Sequence, residues 1–150
     1  MAKDVFLDED GKLYTTYGER VGTGSIIDLV SLPGDHGPYE VDSPLTAAPI
    51  DGAVVEVPDV DQTVYISAKA EVWHSEASAF PGLLLASTGV GPSGYIDADW
   101  KFAGLAGLGV PVKLWAYLPP HSGGLYQVYA YSLNPGEVTV SDLVVAAELR

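Results

Sequence analysis

The sequence predicts an all-β protein, an antiparallel sandwich or barrel preceded by an extended, loop-rich arm. Three observations predict it. Thr63 to Trp73 alternates, with Val64, Ile66, Ala68, Ala70 and Val72 on one side and Tyr65, Ser67, Lys69 and Glu71 on the other, as a half-buried strand does. Seven or eight such short segments follow residue 51, spaced by Gly/Pro turns. No window of a dozen residues carries a helical stripe. Phe102 to Leu108 places Leu105 and Leu108 three apart, but Gly104, Gly107 and Gly109 would each cost a helix about 1 kcal/mol relative to Ala, so the stretch reads as a loop.

The expected strands, in order, are Gly52 to Val57, Thr63 to Trp73, Gly82 to Ala86, Tyr95 to Phe102, Pro111 to Leu118, Leu125 to Leu133, Glu137 to Val140 and Leu143 to Leu149. Between them Pro81-Gly82, Gly91-Pro92-Ser93-Gly94, Pro119-Pro120-His121-Ser122-Gly123-Gly124 and Asn134-Pro135-Gly136 are turn chemistry. Residues 1–50 hold only short apolar pieces, Val5-Phe6-Leu7 and Ile26-Ile27-Asp28-Leu29-Val30, broken by Gly22-Thr23-Gly24 and Pro33-Gly34-Asp35-His36-Gly37-Pro38. Such a segment cannot bury a core of its own and is expected to be an arm. Within it, Asp4 to Asp8 and Lys12 to Thr16 flank Asp10-Gly11, a dipeptide that suits a type I′ hairpin turn. The domain reading is therefore an arm over 1–50 with a small hairpin and a sandwich over 51–150.

Charge narrows the function. Twenty acids against seven Lys and Arg give −13, a field that repels a phosphate backbone or an anionic membrane surface, so neither nucleic acid nor membrane is an expected partner. Residues 1–61 carry thirteen acids and three bases, a net of −10, and the remainder carries −3. Neither a signal-peptide core nor an apolar run of spanning length is present in the sequence, so a soluble, unprocessed chain is expected. Zero Cys excludes disulfides, thiolate metal sites and a Cys nucleophile.

Each chemical motif has a blander explanation. Gly89-Val90-Gly91-Pro92-Ser93-Gly94 matches G-x-G-x-x-G, but it leads into Tyr95-Ile96-Asp97-Ala98-Asp99-Trp100 instead of a helix, so a loop is expected. Asp8, Asp10 and Glu19 fall at calcium-loop spacing, yet Lys12 and Leu13 occupy positions that require an oxygen ligand and Gly. Asp97 with Asp99, and Asp59 with Asp61, would each share a strand face, which fits either glycoside hydrolysis or a water-facing edge. His36, His74 and His121 lack metal spacing, and Ser93 lies outside a nucleophile elbow. No enzyme, catalytic residue, metal or cofactor is expected. Trp115 and Tyr117 share one strand face and Tyr129 and Tyr131 the next, which suits sheet stabilisation or a subunit interface.

Asp51-Gly52-Ala53-Val54-Val55-Glu56-Val57-Pro58, Thr63 to Trp73, Pro111-Val112-Lys113-Leu114-Trp115-Ala116-Tyr117 and the closing Ser141 to Leu149 resemble the trimeric jelly-roll domains of tailed-phage structural proteins, which are similar to tumour-necrosis-factor-like sandwiches. The resemblance implies a jelly roll, a homotrimer and a virion location, with synthesis in the host cytoplasm. It makes the chain an expected capsid decoration protein whose partners are its own copies and the major capsid protein. On that reading Trp115, Tyr117, Tyr129 and Tyr131 form the subunit interface, and Val5, Phe6, Leu7, Ile26, Ile27 and Leu29 contact the capsid. The alternatives are a tail-fibre or receptor-binding component, a carbohydrate-binding module with Trp73, Trp100 and Trp115 as its platform, and a small hydrolase using Asp97 and Asp99.

Overall fold

The structure is a computed structural model, and it describes residues 5–7, 13–15, 26–42 and 46–150. A small antiparallel hairpin comes first, β1 (Val5–Leu7) against β2 (Leu13–Thr15), with Phe6 opposite Tyr14, in agreement with the expected arms around Asp10-Gly11. The turn residues, and the calcium-spaced Asp8, Asp10 and Glu19, lie outside the described residues.

Eight strands then build the sandwich: β3 (Ile26–Val41), β4 (Ala48–Val57), β5 (Val64–His74), β6 (Pro81–Ser87), β7 (Asp97–Trp100), β8 (Val110–Leu118), β9 (Gly124–Ser132) and β10 (Gly136–Leu149). One sheet runs β3-β10-β5-β8 and the other β4-β9-β6-β7. First pairs with last throughout, β3 with β10, β4 with β9, β5 with β8 and β6 with β7, so the chain is one long antiparallel ribbon wound into two sheets. That winding is a jelly roll.

The alternation read in β5 holds: Val64, Ile66, Ala68 and Val72 are buried and face Val55, Val57, Leu83, Leu85 and Val128 across the sandwich. The expected strands Glu137 to Val140 and Leu143 to Leu149 are a single strand. In β10 the buried set changes from Val138 and Val140 to Leu143, Val145, Ala147 and Leu149, because a bulge at Asp142, whose φ is +54°, inverts the strand's faces. The Asp142 carboxylate accepts the Gly34 N–H at 2.8 Å, so β3 bends with its partner. β7 is shorter than expected, although the Ile96 N–H to Leu85 O and Lys101 N–H to Pro81 O bonds prolong its pairing.

The largest departure concerns the arm. The boundary expected at residue 50 fails because Ile26–Val41 pairs with β10 along its length, placing Ile26 opposite Glu148 and Val41 opposite Gly136. Pro33-Gly34 and Gly37-Pro38 signal a loop, but β3 is an edge strand with bulges, where a residue without an N–H is tolerated. β4 likewise starts before residue 50, at Ala48.

Candidate functional site

Two sheet faces carry the residues that the sequence singles out, and the structure separates them. On β8, Pro111, Lys113, Trp115 and Tyr117 point outward, away from buried Val112, Leu114, Ala116 and Leu118. On the neighbouring β5, Glu71, Lys69, Ser67 and Tyr65 stand directly opposite them. Tyr65 and Tyr117 lie 5.0 Å apart by ring centroid, Trp115 meets Tyr117 edge-on at 6.0 Å, and the Arg150 guanidinium stacks over Tyr65 at 4.5 Å. This strip is open to solvent, with Trp115 53% and Tyr117 56% exposed.

Tyr129 and Tyr131 do not join that strip, because β9 pairs with β4 and β6 in the other sheet. Nor are they exposed: at 7% and 5% they form a second apolar cluster with Ala47, Leu84 and Ala86 on the outer side of their sheet. Burial, and then the nearby Tyr95, pushes the Tyr131 phenol above its ordinary value. The four aromatics expected to form one surface are therefore split, with Trp115 and Tyr117 exposed on one sheet and Tyr129 and Tyr131 buried on the other. Of the three Trp residues expected as a platform, Trp73 on β5 and Trp115 on β8 share one sheet, while Trp100 packs on Tyr131 at 5.8 Å in the other. A Cβ at Gly82 would collide with the backbone of Asp99 and Trp100, so Gly there lets β7 approach closely.

The paired carboxylates close an edge. Asp97 accepts the Trp115 N–H and Asp99 the Lys113 N–H, both at 2.9 Å, so β7 of one sheet caps the outer edge of β8 in the other. At the opposite edge Asp28 of β3 accepts the Glu56 N–H of β4 at 2.8 Å. Both edges of the sandwich are thus bridged by acids, which removes amides that could template a foreign strand. Asp59 and Asp61 lie in the β4–β5 connection, where Asp59 pairs with His121 at 2.9 Å.

The histidines stay apart. His74 is fully buried, with Nδ1 accepting the Glu76 N–H and Nε2 donating to Asn134 O, a tautomer assigned from these partners. His36 Nε2 contacts the Leu32 and Pro33 carbonyls. Among the described residues no group of three His, Asp or Glu could hold a metal ion. Gly89 to Gly94 forms the β6–β7 connection with a single 3₁₀ turn at Pro92–Gly94, as a loop should.

Of the expected capsid contacts, Ile27 is buried at 4% in the sandwich core, and this corrects its assignment. Ile26 is exposed and Leu29 half-buried on β3. The side chains of Val5, Phe6 and Leu7 lie outside the described residues. Sequence reading missed a further set of exposed apolar side chains. Val90, Tyr95, Ile96, Trp100, Phe102, Leu105 and Leu108 are all exposed within residues 90–108. Non-periodic apolar residues among Gly and Pro were the available signal.

No protein-family model and no curated protein matches the sequence. Solved structures do share its fold. The VP2 protein of infectious bursal disease virus, in derived T=1 particles, superposes with a TM-score of 0.51 at 9% identity over 96% of this chain and 35% of that one. The structure of the Gx strain of the same virus gives 0.50 at 10% identity over 95% and 36%. A carbohydrate-binding module from Cellvibrio mixtus lichenase 5A, in complex with cellotriose, gives 0.43 at 14% identity over 79% and 95%. This chain spans about a third of the viral proteins' length. At these identities the likeness is one of architecture: the chain is a jelly-roll β-sandwich, a fold it shares with a viral particle protein.

Proposed function

We propose that this chain is a non-enzymatic virion structural protein, a homotrimeric decoration protein that binds the outer surface of a phage head and stabilises it. The observation that carries the reading is apolar surface held out to solvent on an anchored backbone. Leu105 is 67% and Phe102 57% exposed, although Ala79 and Ala103 exchange hydrogen bonds of 3.1 and 2.8 Å and the Gly107 N–H reaches His74 O at 2.9 Å. Fraying does not explain such exposure, and large apolar patches on folded chains mark protein contacts. The jelly roll shared with VP2, solved in T=1 particles, supports a place on a shell.

In this reading Phe102, Leu105 and Leu108 meet neighbouring copies around the three-fold axis. Ile26, with Val5, Phe6 and Leu7, faces the major capsid protein. The net charge of −13 argues against nucleic acid as the ligand. Binding to the assembled lattice alone raises shell stability by mass action.

Light scattering on the purified protein is expected to give the mass of three subunits. The double variant Phe102→Ser, Leu105→Ser is expected to give one subunit with unchanged circular dichroism. Phage heads lacking decoration should melt at higher temperature when the wild-type protein is added. A single subunit at every concentration would overturn the trimer, and an unchanged shell melting temperature the decoration role.

A further inference from the structure

Every Lys and Arg after position 20, namely Lys69, Lys101, Lys113 and Arg150, gathers around the outward face of β5 and β8. In a chain of net charge −13 this is a strong segregation. Lys69 and Lys113 are direct cross-strand partners, both exposed, and neither has an ion-pair partner among the described residues. Like charges placed directly opposite destabilise a sheet. With twenty acids in the sequence, two neighbouring lysines that none of them engages in an ion pair among the described residues offer a place for an anion from outside.

The pair also walls two hollows. One, of about 500 Å³, reaches Lys101, Glu71, Asp99 and Asp142; the other, of about 310 Å³, is lined by Tyr65, Ser67 and Val144. One strand repeat from the lysines, ~7 Å along β8, exposed Trp115 stands opposite Ser67, and Tyr117 opposite Tyr65 follows. Ammonium pair, hydroxyl and indole thus share one open face.

We propose that this strip binds a carboxylated glycan, with a pyranose ring stacked on Trp115 and its carboxylate between the Nζ atoms of Lys69 and Lys113. The Ser67 hydroxyl and Tyr65 phenol serve the ring hydroxyls. A peptide strand is disfavoured because the edge amides of Lys113 and Trp115 are already held by Asp99 and Asp97. A dense polyanion running through the cleft would meet Glu71, Asp99 and Asp142 beyond the lysines. An isolated carboxylate on a sugar avoids that repulsion.

The proposal is independent of trimer formation. Sialyllactose and hyaluronan oligosaccharides, with lactose and cello-oligosaccharides as neutral controls, are titrated into the full chain and followed by calorimetry and tryptophan fluorescence. An acidic glycan is expected to bind at least about tenfold tighter than its neutral counterpart, the ratio equivalent to about 1.4 kcal/mol. Lys69→Ala with Lys113→Ala should abolish that preference, Lys69→Arg with Lys113→Arg should retain it, and Trp115→Ala should lose binding altogether while circular dichroism stays native. The Phe102→Ser, Leu105→Ser variant should bind as wild type, which separates this site from the assembly surface. No saturable binding of any acidic glycan, equal affinity for neutral sugars, or a Glu-rich peptide that binds more tightly and is lost in the same lysine variants would overturn it.

Discussion

Gln127 shows how a single polar side chain can hold an irregular strand. On β4, Pro49 pairs with Tyr129 and the next pair is Val54 with Gln127, so Ile50 to Ala53 oppose Val128 alone. The ladder cannot serve that excess backbone. The buried Gln127 amide does so, donating from Nε2 to Ile50 O at 2.9 Å, Ala53 O at 3.2 Å and Val128 O at 2.7 Å. Gln127→Leu is therefore expected to cost about 2–4 kcal/mol, because the buried carbonyls of Ile50, Ala53 and Val128 lose this donor. Denaturant unfolding measures it, and a loss below about 0.5 kcal/mol, the range of ordinary surface changes, would show that the bulge satisfies itself. Nothing in the sequence marked Gln127, since a polar residue at an alternate strand position reads as facing water. His74 is the parallel case, one of three scattered histidines in sequence and a fully satisfied core residue in the fold.

Elements were more legible than their partners. The alternation of Thr63 to Trp73 and the turn residues around each strand located most of the sandwich, because burial of one face imposes a period of two. Pairing leaves no such mark. β8 and β9 are neighbours in sequence, yet they belong to different sheets, so Trp115 with Tyr117 and Tyr129 with Tyr131 never meet. β3 stayed hidden because its Pro and Gly residues read as a loop, and only an edge position accommodates them. Asp97 and Asp99 were visible as a pair, while their work depends on β7 lying beside β8 across the sandwich. Replacing both with Ala should cost about 1–2 kcal/mol, below the full charge-assisted value because the bonds are half-exposed. Amide hydrogen exchange at Lys113 and Trp115 should quicken while Ile66 and Ala68 in central β5 stay protected. Unchanged exchange at Lys113 and Trp115 would mean that the acids do not close this edge.

At the scale of the whole molecule, the ribbon winding buries phenols as well as aliphatics, and this sets the alkaline limit of the fold. Tyr39 packs against the main core, Tyr126 lies within it, and Tyr131 sits in the second cluster. All three phenols ionise above their ordinary value of 10.0. Burial is the first cause in each; for Tyr39 the Asp51 carboxylate adds to it while a hydrogen bond to the Asp51 backbone opposes it. Above about pH 10 the unfolded chain releases these protons while the native chain retains them, so stability falls as pH rises. Below that value both states are protonated and the three groups contribute no pH dependence. Denaturant midpoints should therefore decline above about pH 10, with unfolding accompanied by a late rise in phenolate absorbance. Tyr126→Phe should make the decline shallower, even though it removes the hydrogen bond to Ser122 O at 2.6 Å and lowers stability at neutral pH. If phenolate absorbance is complete before any unfolding, the three rings are more accessible than their burial implies, and they do not set the alkaline limit of the fold.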